Sequence, residues 1–239
     1  MVNDSEKYDD IDIRVEDPVT FPLGTPDDDV IKALQKAWAR QDLNTYVEKR
    51  WTGAYVPPFP DTFWEYDWRA CDIGSGFGRF GWVESQKHPT RAYLSIDKGK
   101  RRGGGMLRRY EEKDVPNVFP LHGNAIPILA NMPHASLNLI TLFYPNPWWP
   151  KKHQKKRWSY HPLLPHLFDL LVPGGCLMLC ANERFYLQEW LWTLQHHPAA
   201  HCMKEEYVGP IQVSEGRSDF EVKFIHHNVS CGEIRFRKE

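Results

Sequence analysis

Cys71-Asp72-Ile73-Gly74-Ser75-Gly76-Phe77-Gly78 is the stretch whose reading decides the fold. The approach over Arg69–Ile73 reads as a short buried strand, and the glycines after it read as a tight turn into a helix. Where side chains are absent, backbone N–H groups close on a ligand, and the next helix points its positive end at it. A second strand-like run, Ala92–Ile96, ends on Asp97.

Two patterns compete at this turn. Gly76-Phe77-Gly78-Arg79-Phe80-Gly81 fits the G-x-G-x-x-G dinucleotide signature, which alone is weak. The larger pattern, acidic-x-Gly-x-Gly-x-Gly from Asp72, resembles the first motif of the class I S-adenosylmethionine methyltransferases. That resemblance implies glycines packed against the methionine part of the cofactor and Asp97 on its ribose. A plain Gly-rich structural turn is the bland alternative.

The length of 239 residues suits one α/β domain with an N-terminal extension. Charges nearly cancel, 30 basic against 31 acidic, so overall charge makes no case for nucleic acid. Their distribution says more. Residues 1–30 hold ten acids against Lys7 and Arg14, while basic residues cluster at 98–109 and 151–157, which permits a local anionic site. Five cysteines form no C-x-x-C pair and read as buried thiols of a reducing cytosol. With no signal pattern and no apolar run near the ~20 residues of a membrane span, a cytoplasmic protein is expected.

Along the chain, residues 1–28 read as a mobile or lid-like acidic arm. Thr25-Pro26-Asp27-Asp28-Asp29 starts a helix that runs to about Arg40. The organisation expected is an arm and helix over 1–50 and a catalytic domain over 51–239. Residues 51–68, rich in aromatics and proline, read as irregular cover for a sheet edge or as a pocket wall. Strand-like runs at 69–73, 92–96, 118–121, 137–143 and 176–180 alternate with helical segments near 78–87, 105–113, 125–131, 160–171 and 183–195. The alternation implies a mostly parallel sheet with helices on both faces. Pro173-Gly174-Gly175 reads as the turn into the fifth strand, and 206–213, 219–226 and 232–237 as strands of a terminal antiparallel hairpin. Gly103-Gly104-Gly105 is expected to delay the helix after Asp97, since each helical glycine costs about 1 kcal/mol relative to alanine. Lys98–Arg102 would then be a flexible basic loop.

The most specific segment is Leu142-Phe143-Tyr144-Pro145-Asn146-Pro147-Trp148-Trp149-Pro150, followed by the basic run Lys151–Arg157. It leaves the sheet at its carboxyl edge, beside the glycine turn and the topological switch point. Prolines on both sides of Asn146 fix the backbone and aim one side chain into the crevice. Cations interleaved with aromatics suit a phosphate-bearing aromatic substrate; a solvated basic helix start is the plainer reading. This stretch resembles the tRNA (guanine-N7)-methyltransferase family, which has Phe-Pro-Asp-Pro-Trp and then a Lys/Arg/His run. The likeness covers about residues 70–239 and includes Gly123-Asn124-Ala125, Pro173-Gly174-Gly175 and Ser218-Asp219-Phe220-Glu221-Val222-Lys223-Phe224, similar to the family's Thr-x-x-Glu-x-Lys-Phe.

The resemblance implies a class I methyltransferase Rossmann-like α/β fold with S-adenosyl-L-methionine as cofactor. It carries Asp72, Gly74, Gly76, Gly78, Asp97, Asn124, Ala125 and Tyr144 as cofactor-binding residues, with Asn124 near the adenine. It carries Asn146, Asn182 and Glu221 as the catalytic constellation, and Trp148, Lys151, His153 and Ser218 as substrate-binding residues. This chain departs from the family mildly at Ser218, which stands for its Thr, at Ala181, which stands for another Thr, and at three further points. Asn146 and Asn182 stand where the family has Asp, and the acidic arm replaces a basic one. Guanine N7 carries a lone pair and no proton, so its methylation needs alignment rather than a general base. Carboxylates serve best as acceptors for the guanine N1–H and amine, whereas an Asn adds two donors.

Three functions follow. The sequence leans to N-methylation of a small purine-like or other nitrogen heterocycle; the alternative is tRNA (guanine-N7) methylation. The third is a non-catalytic RNA-binding protein, against which the intact Asp72, glycines and Asp97 argue. No metal is expected, because the histidines show no ligand spacing and the transfer needs no Lewis acid. Neither is a membrane partner. A monomer or homodimer is expected.

Overall fold

The computed structural model describes residues 13–52, 56–113 and 115–239. In chain order its elements begin with α1 (Asp28–Trp38), α2 (Leu43–Trp51), β1 (Trp68–Ile73), α3 (Arg79–Lys87), β2 (Arg91–Asp97), α4 (Lys100–Glu111), β3 (Val118–His122) and α5 (Ala125–Ala130). They continue with β4 (Leu137–Phe143), α6 (Leu164–Leu170), β5 (Leu171–Ala181), α7 (Arg184–His196), β6 (Met203–Pro210), α8 (Asp219–His226) and β7 (Gly232–Lys238). The strands form one sheet in the order β3-β2-β1-β4-β5-β7-β6. β1 pairs in parallel with β2 and β4, and β7 runs antiparallel to β5 and β6. The strand order reverses between β1 and β4, and in sheets of this kind ligands bind at the carboxyl ends of the strands flanking such a switch point.

Successive strand residues go to opposite faces, and both faces are buried, which is why the strands read as continuous apolar runs. Cys71, Leu94, Leu142 and Leu179 pack with Leu167 of α6 and Tyr186 and Trp190 of α7. Their neighbours Ala70, Tyr93, Phe143 and Cys180 pack with Phe80 of α3, Met106 and Tyr110 of α4 and Phe224 of α8. The 51–68 segment meets the edge strand: Phe63 is fully buried and lies edge-on to Phe119 at 5.3 Å.

Four expectations are corrected. First, α4 starts at Lys100 and contains all three glycines, so Lys100–Arg102 are helical. Close packing overrides propensity here: a Cβ on Gly103 would stand 2.4 Å from His122 Cδ2 and 2.9 Å from the Asp97 carbonyl oxygen. Second, residues 219–226 are helix α8, started by Ser218, whose Oγ accepts the Glu221 N–H at 3.1 Å. Third, part of the arm is fixed: the Glu183 carboxylate accepts the Glu16 and Asp17 N–H groups, Asp17 accepts the Phe185 N–H at 2.7 Å, and Val19 and Leu23 are buried. The rest of the arm, residues 1–12, lies outside the described residues. Fourth, Pro173–Gly175 lie inside the span of β5, at a register shift against β4, with Gly174 at φ +78°. The basic run forms one short 3-10 turn, Lys151–Lys156, a second, Trp158–Tyr160, follows it, and α6 begins only at Leu164.

Candidate active site

The glycine turn follows β1 as the sequence predicts. Gly74, Gly76 and Gly78 have φ of 77°, 63° and 76°, a region that costs a side-chain-bearing residue about 1 kcal/mol or more. Gly74 and Ser75 N–H groups donate to the Ile96 carbonyl at 2.8 and 2.9 Å, which ties the turn to β2. A Cβ on Gly74 or Gly76 would meet nothing within 4 Å, so the turn presents an open, uncluttered surface to the crevice. Gly78 differs: its Cβ would fall 2.7 Å from the Tyr110 ring, so this glycine seats α3 against α4.

Asp97 sits at the end of β2, buried, with one carboxylate oxygen accepting the Gly76 N–H at 3.0 Å and the other the Gly99 N–H at 2.6 Å. Arg102 Nε lies 3.6 Å away on the exposed side. Asp72, 3% exposed near the end of β1, accepts the Thr141 hydroxyl at 2.8 Å. Burial pushes its carboxyl up to about 7; the Thr141 hydrogen bond opposes this, and the charges of Asp97 and Asp219 add to it. Asn124 caps α5 by accepting the Ile126 N–H at 3.0 Å, and Ala125 is the first residue of that helix.

The segment after β4 lies at the same edge. Tyr144 and Trp148 adopt φ of 50° and 49°, and Asn146, exposed, closes the bend by accepting the Trp148 N–H at 2.9 Å. Arg157 is not part of a phosphate-facing run. It is buried, paired with Glu189, and donates to the Pro147 and Trp148 carbonyls at 2.7 and 3.1 Å, so it clamps the bend from below. Burial raises the Glu189 carboxyl to about 7 even against that partner. Lys151, Lys152, Lys155 and Lys156 remain exposed. Lys156 Nζ lies 4.4 Å over the Trp148 ring, with His153 edge-on at 6.0 Å. Desolvation and the flanking Lys156 and Lys152 hold the His153 imidazole below its usual range.

Tyr144 leads to α8. Its hydroxyl donates to Glu221 Oε1 at 3.0 Å, and Arg217 fills the remaining acceptor positions of that carboxylate through its backbone N–H, Nε and Nη2. Glu221 is fully buried, so in this structure it holds Tyr144 and Arg217 in place. Arg217 also pairs with Glu233 at 2.7 Å. Ser218 acts as the helix cap described above. Asn182, buried, follows the end of β5 toward the same edge.

The structure thus brings the glycine turn, Asp97, Asn124, Tyr144, Asn146 and Asn182 to one edge of the sheet. Sequence reasoning missed Arg217, which stands immediately before the Ser218 motif, and Asp219, whose Oδ2 is buried without a hydrogen-bond partner. It also missed a grouping of His134, His166 and Asp169, whose ligand atoms lie within 4.8 Å of one another at the opposite, amino end of β4. Among the described residues no helix is long and apolar enough to cross a membrane.

Comparisons with known proteins bear on the family and the fold. A family model described as a putative methyltransferase matches residues 68–232. A tRNA (guanine-N(7)-)-methyltransferase of Alkalilimnicola ehrlichii is 31% identical over 169 residues, 70% of this chain and 70% of that protein. One from Thiobacillus denitrificans is 27% identical over 171 residues, covering 71% and 75%. Among solved structures, the 16S rRNA methyltransferase KamB superposes with a TM-score of 0.59 at 16% identity, over 78% of this chain and 97% of that one. A 16S rRNA (adenine(1408)-N(1))-methyltransferase from Catenulisporales acidiphilia, solved with cosubstrate SAM, gives 0.53 at 14% identity, over 77% and 92%. These two similarities speak for the fold. The open cradle over Gly74 and Gly76 and the buried Asp97 beside it fit S-adenosylmethionine. The chain is an S-adenosylmethionine-dependent methyltransferase and belongs, as a divergent member, to the tRNA (guanine-N7)-methyltransferase family.

Proposed function

We propose that this chain methylates N7 of a guanine in tRNA. The observation that carries the reading is the pairing of two things: curated relatives named for that reaction, and the Trp148 bend with its exposed lysines beside the glycine turn. S-Adenosylmethionine supplies the electrophilic methyl. Gly74 and Gly76 receive the amino-acid end of the cofactor, Asp97 its ribose, and Asn124 and Ala125 border its adenine. Tyr144 forms part of the wall between the cofactor and the acceptor base.

The acceptor nitrogen brings its own lone pair, so no side chain has to remove a proton before transfer. The protein's task is positioning, which supplies much of the barrier reduction in such reactions. Asn146 and Asn182 offer carboxamide oxygens to the N–H edge of the base, and Trp148 offers a ring face beside it. Glu221 works through Tyr144 and Arg217 and does not touch the base. Lys152 and Lys156 meet phosphates around it. A second reading, a small nitrogen heterocycle as acceptor, is favoured by the two asparagines in place of aspartates. Incubation with methyl-labelled donor and either unmodified tRNA or a heterocycle panel separates them: label is expected in tRNA, and label confined to a heterocycle would overturn the proposal.

A further inference from the structure

A cleft of about 280 Å³ opens between α1 and residues 154–160, outside the catalytic crevice. Its lining is Ala33, Lys36, Ala37, Arg40, Gln154, Lys155 and Tyr160, with no acidic residue among them. The wall is rigid. Trp38 Nε1 donates to the Ser159 carbonyl at 3.1 Å, Gln41 donates to the His161 carbonyl at 3.2 Å, and Leu34, Trp38 and Tyr160 pack as one buried cluster. Its floor is apolar, made by two alanines and the Tyr160 ring, and the Tyr160 hydroxyl has no hydrogen-bond partner.

Three cations converge on this floor from two separate stretches of chain. Lys36, Arg40 and Lys155 are exposed, and none makes an ion pair among the described residues. The helix dipole accounts for Lys36 and Arg40 near the end of α1, but it gives no reason for Lys155 to face them across a cleft. Lys151, by contrast, is already paired with Asp29 at 3.2 Å. Unpaired cations around a small apolar floor suit a phosphate with a sugar or base resting on that floor.

We infer that this cleft binds a phosphodiester segment of the tRNA substrate, away from the base being methylated. The inference rests on the tRNA reading above. It also gives the N-terminal region a basic contact of its own despite the acids that precede it, since Lys36 and Arg40 lie on α1 and just past its end.

The test is a salt titration of unmodified tRNA binding by the full chain, the Lys36→Ala/Arg40→Ala double variant and Lys204→Ala as a remote surface control. The double variant is expected to bind roughly tenfold more weakly at low salt and to lose roughly two units of salt slope. Lys204→Ala should match the parent, and calorimetry of S-adenosylhomocysteine should give the same affinity for all three. If the parent binds tRNA and the double variant binds it equally, this inference fails alone. If the parent binds no tRNA at any salt, the tRNA reading fails and takes the inference with it.

Discussion

The Tyr144 hydroxyl donates to Glu221 Oε1 at 3.0 Å and ties the bend after β4 to α8. Both groups are buried, and Arg217 saturates the rest of the carboxylate. Removing the carboxylate leaves the Arg217 cation with Glu233 as its remaining acidic partner, and a broken buried pair costs about 3–5 kcal/mol. Glu221→Ala should therefore lower the melting temperature markedly. Tyr144→Phe, which deletes one neutral donor, should cost only about 1 kcal/mol. Thermal unfolding of the two variants checks the order; equal effects would contradict the assignment of Glu221 as a structural anchor.

Asp97 joins the two loops that border the cofactor cradle, through the Gly76 and Gly99 N–H groups. Asp97→Ala should weaken S-adenosylhomocysteine binding at least tenfold, about 1.4 kcal/mol. Calorimetry reads this directly. Unchanged affinity, or a preference for a nicotinamide dinucleotide, would contradict the site.

Asp72 predicts a pH dependence. Burial raises its carboxyl from 3.8 to about 7 in the folded chain. Between those values the unfolded chain has already lost the proton that the folded chain keeps, so this group makes stability fall as pH rises from about 4 to 7. Asp72→Asn should flatten that segment of the stability–pH curve in urea unfolding. A cationic cofactor nearby favours the ionised form, so binding of S-adenosylmethionine near pH 7 should release protons. Calorimetry in buffers of different ionisation enthalpy measures that release.

The three glycines of α4 should respond unequally to alanine. A Cβ on Gly103 would collide with His122 and with the Asp97 backbone, whereas on Gly104 its nearest contact is Arg108 Nη1 at 4.0 Å. Gly104→Ala should stabilise by up to about 1 kcal/mol through helix propensity, and Gly103→Ala should destabilise. Melting temperatures of the two variants are enough to decide.

Residues 71–78 and 137–143 were legible because buried parallel strands leave continuous apolar runs, and because a turn that needs positive φ leaves glycines. Residues 219–226 misled because Phe220, Val222 and Phe224 alternate like a strand, although Ser218 and Glu221 stand at the spacing that starts a helix. The arm misled for a different reason: Val19 and Leu23, its two buried anchors, are hidden among acids and prolines. The roles of Arg157 and Arg217 were not legible at all. Each is decided by a carboxylate, Glu189 or Glu221, that only the folded chain brings against it.

The central claim is that the acceptor is N7 of a guanine in tRNA. The most direct measurement is nucleoside mass spectrometry of unmodified tRNA after incubation with the protein and methyl-labelled S-adenosylmethionine. The account predicts labelled 7-methylguanosine, lost with Asp97→Ala. Unlabelled tRNA beside a labelled small heterocycle, or label on another nucleoside, would contradict it.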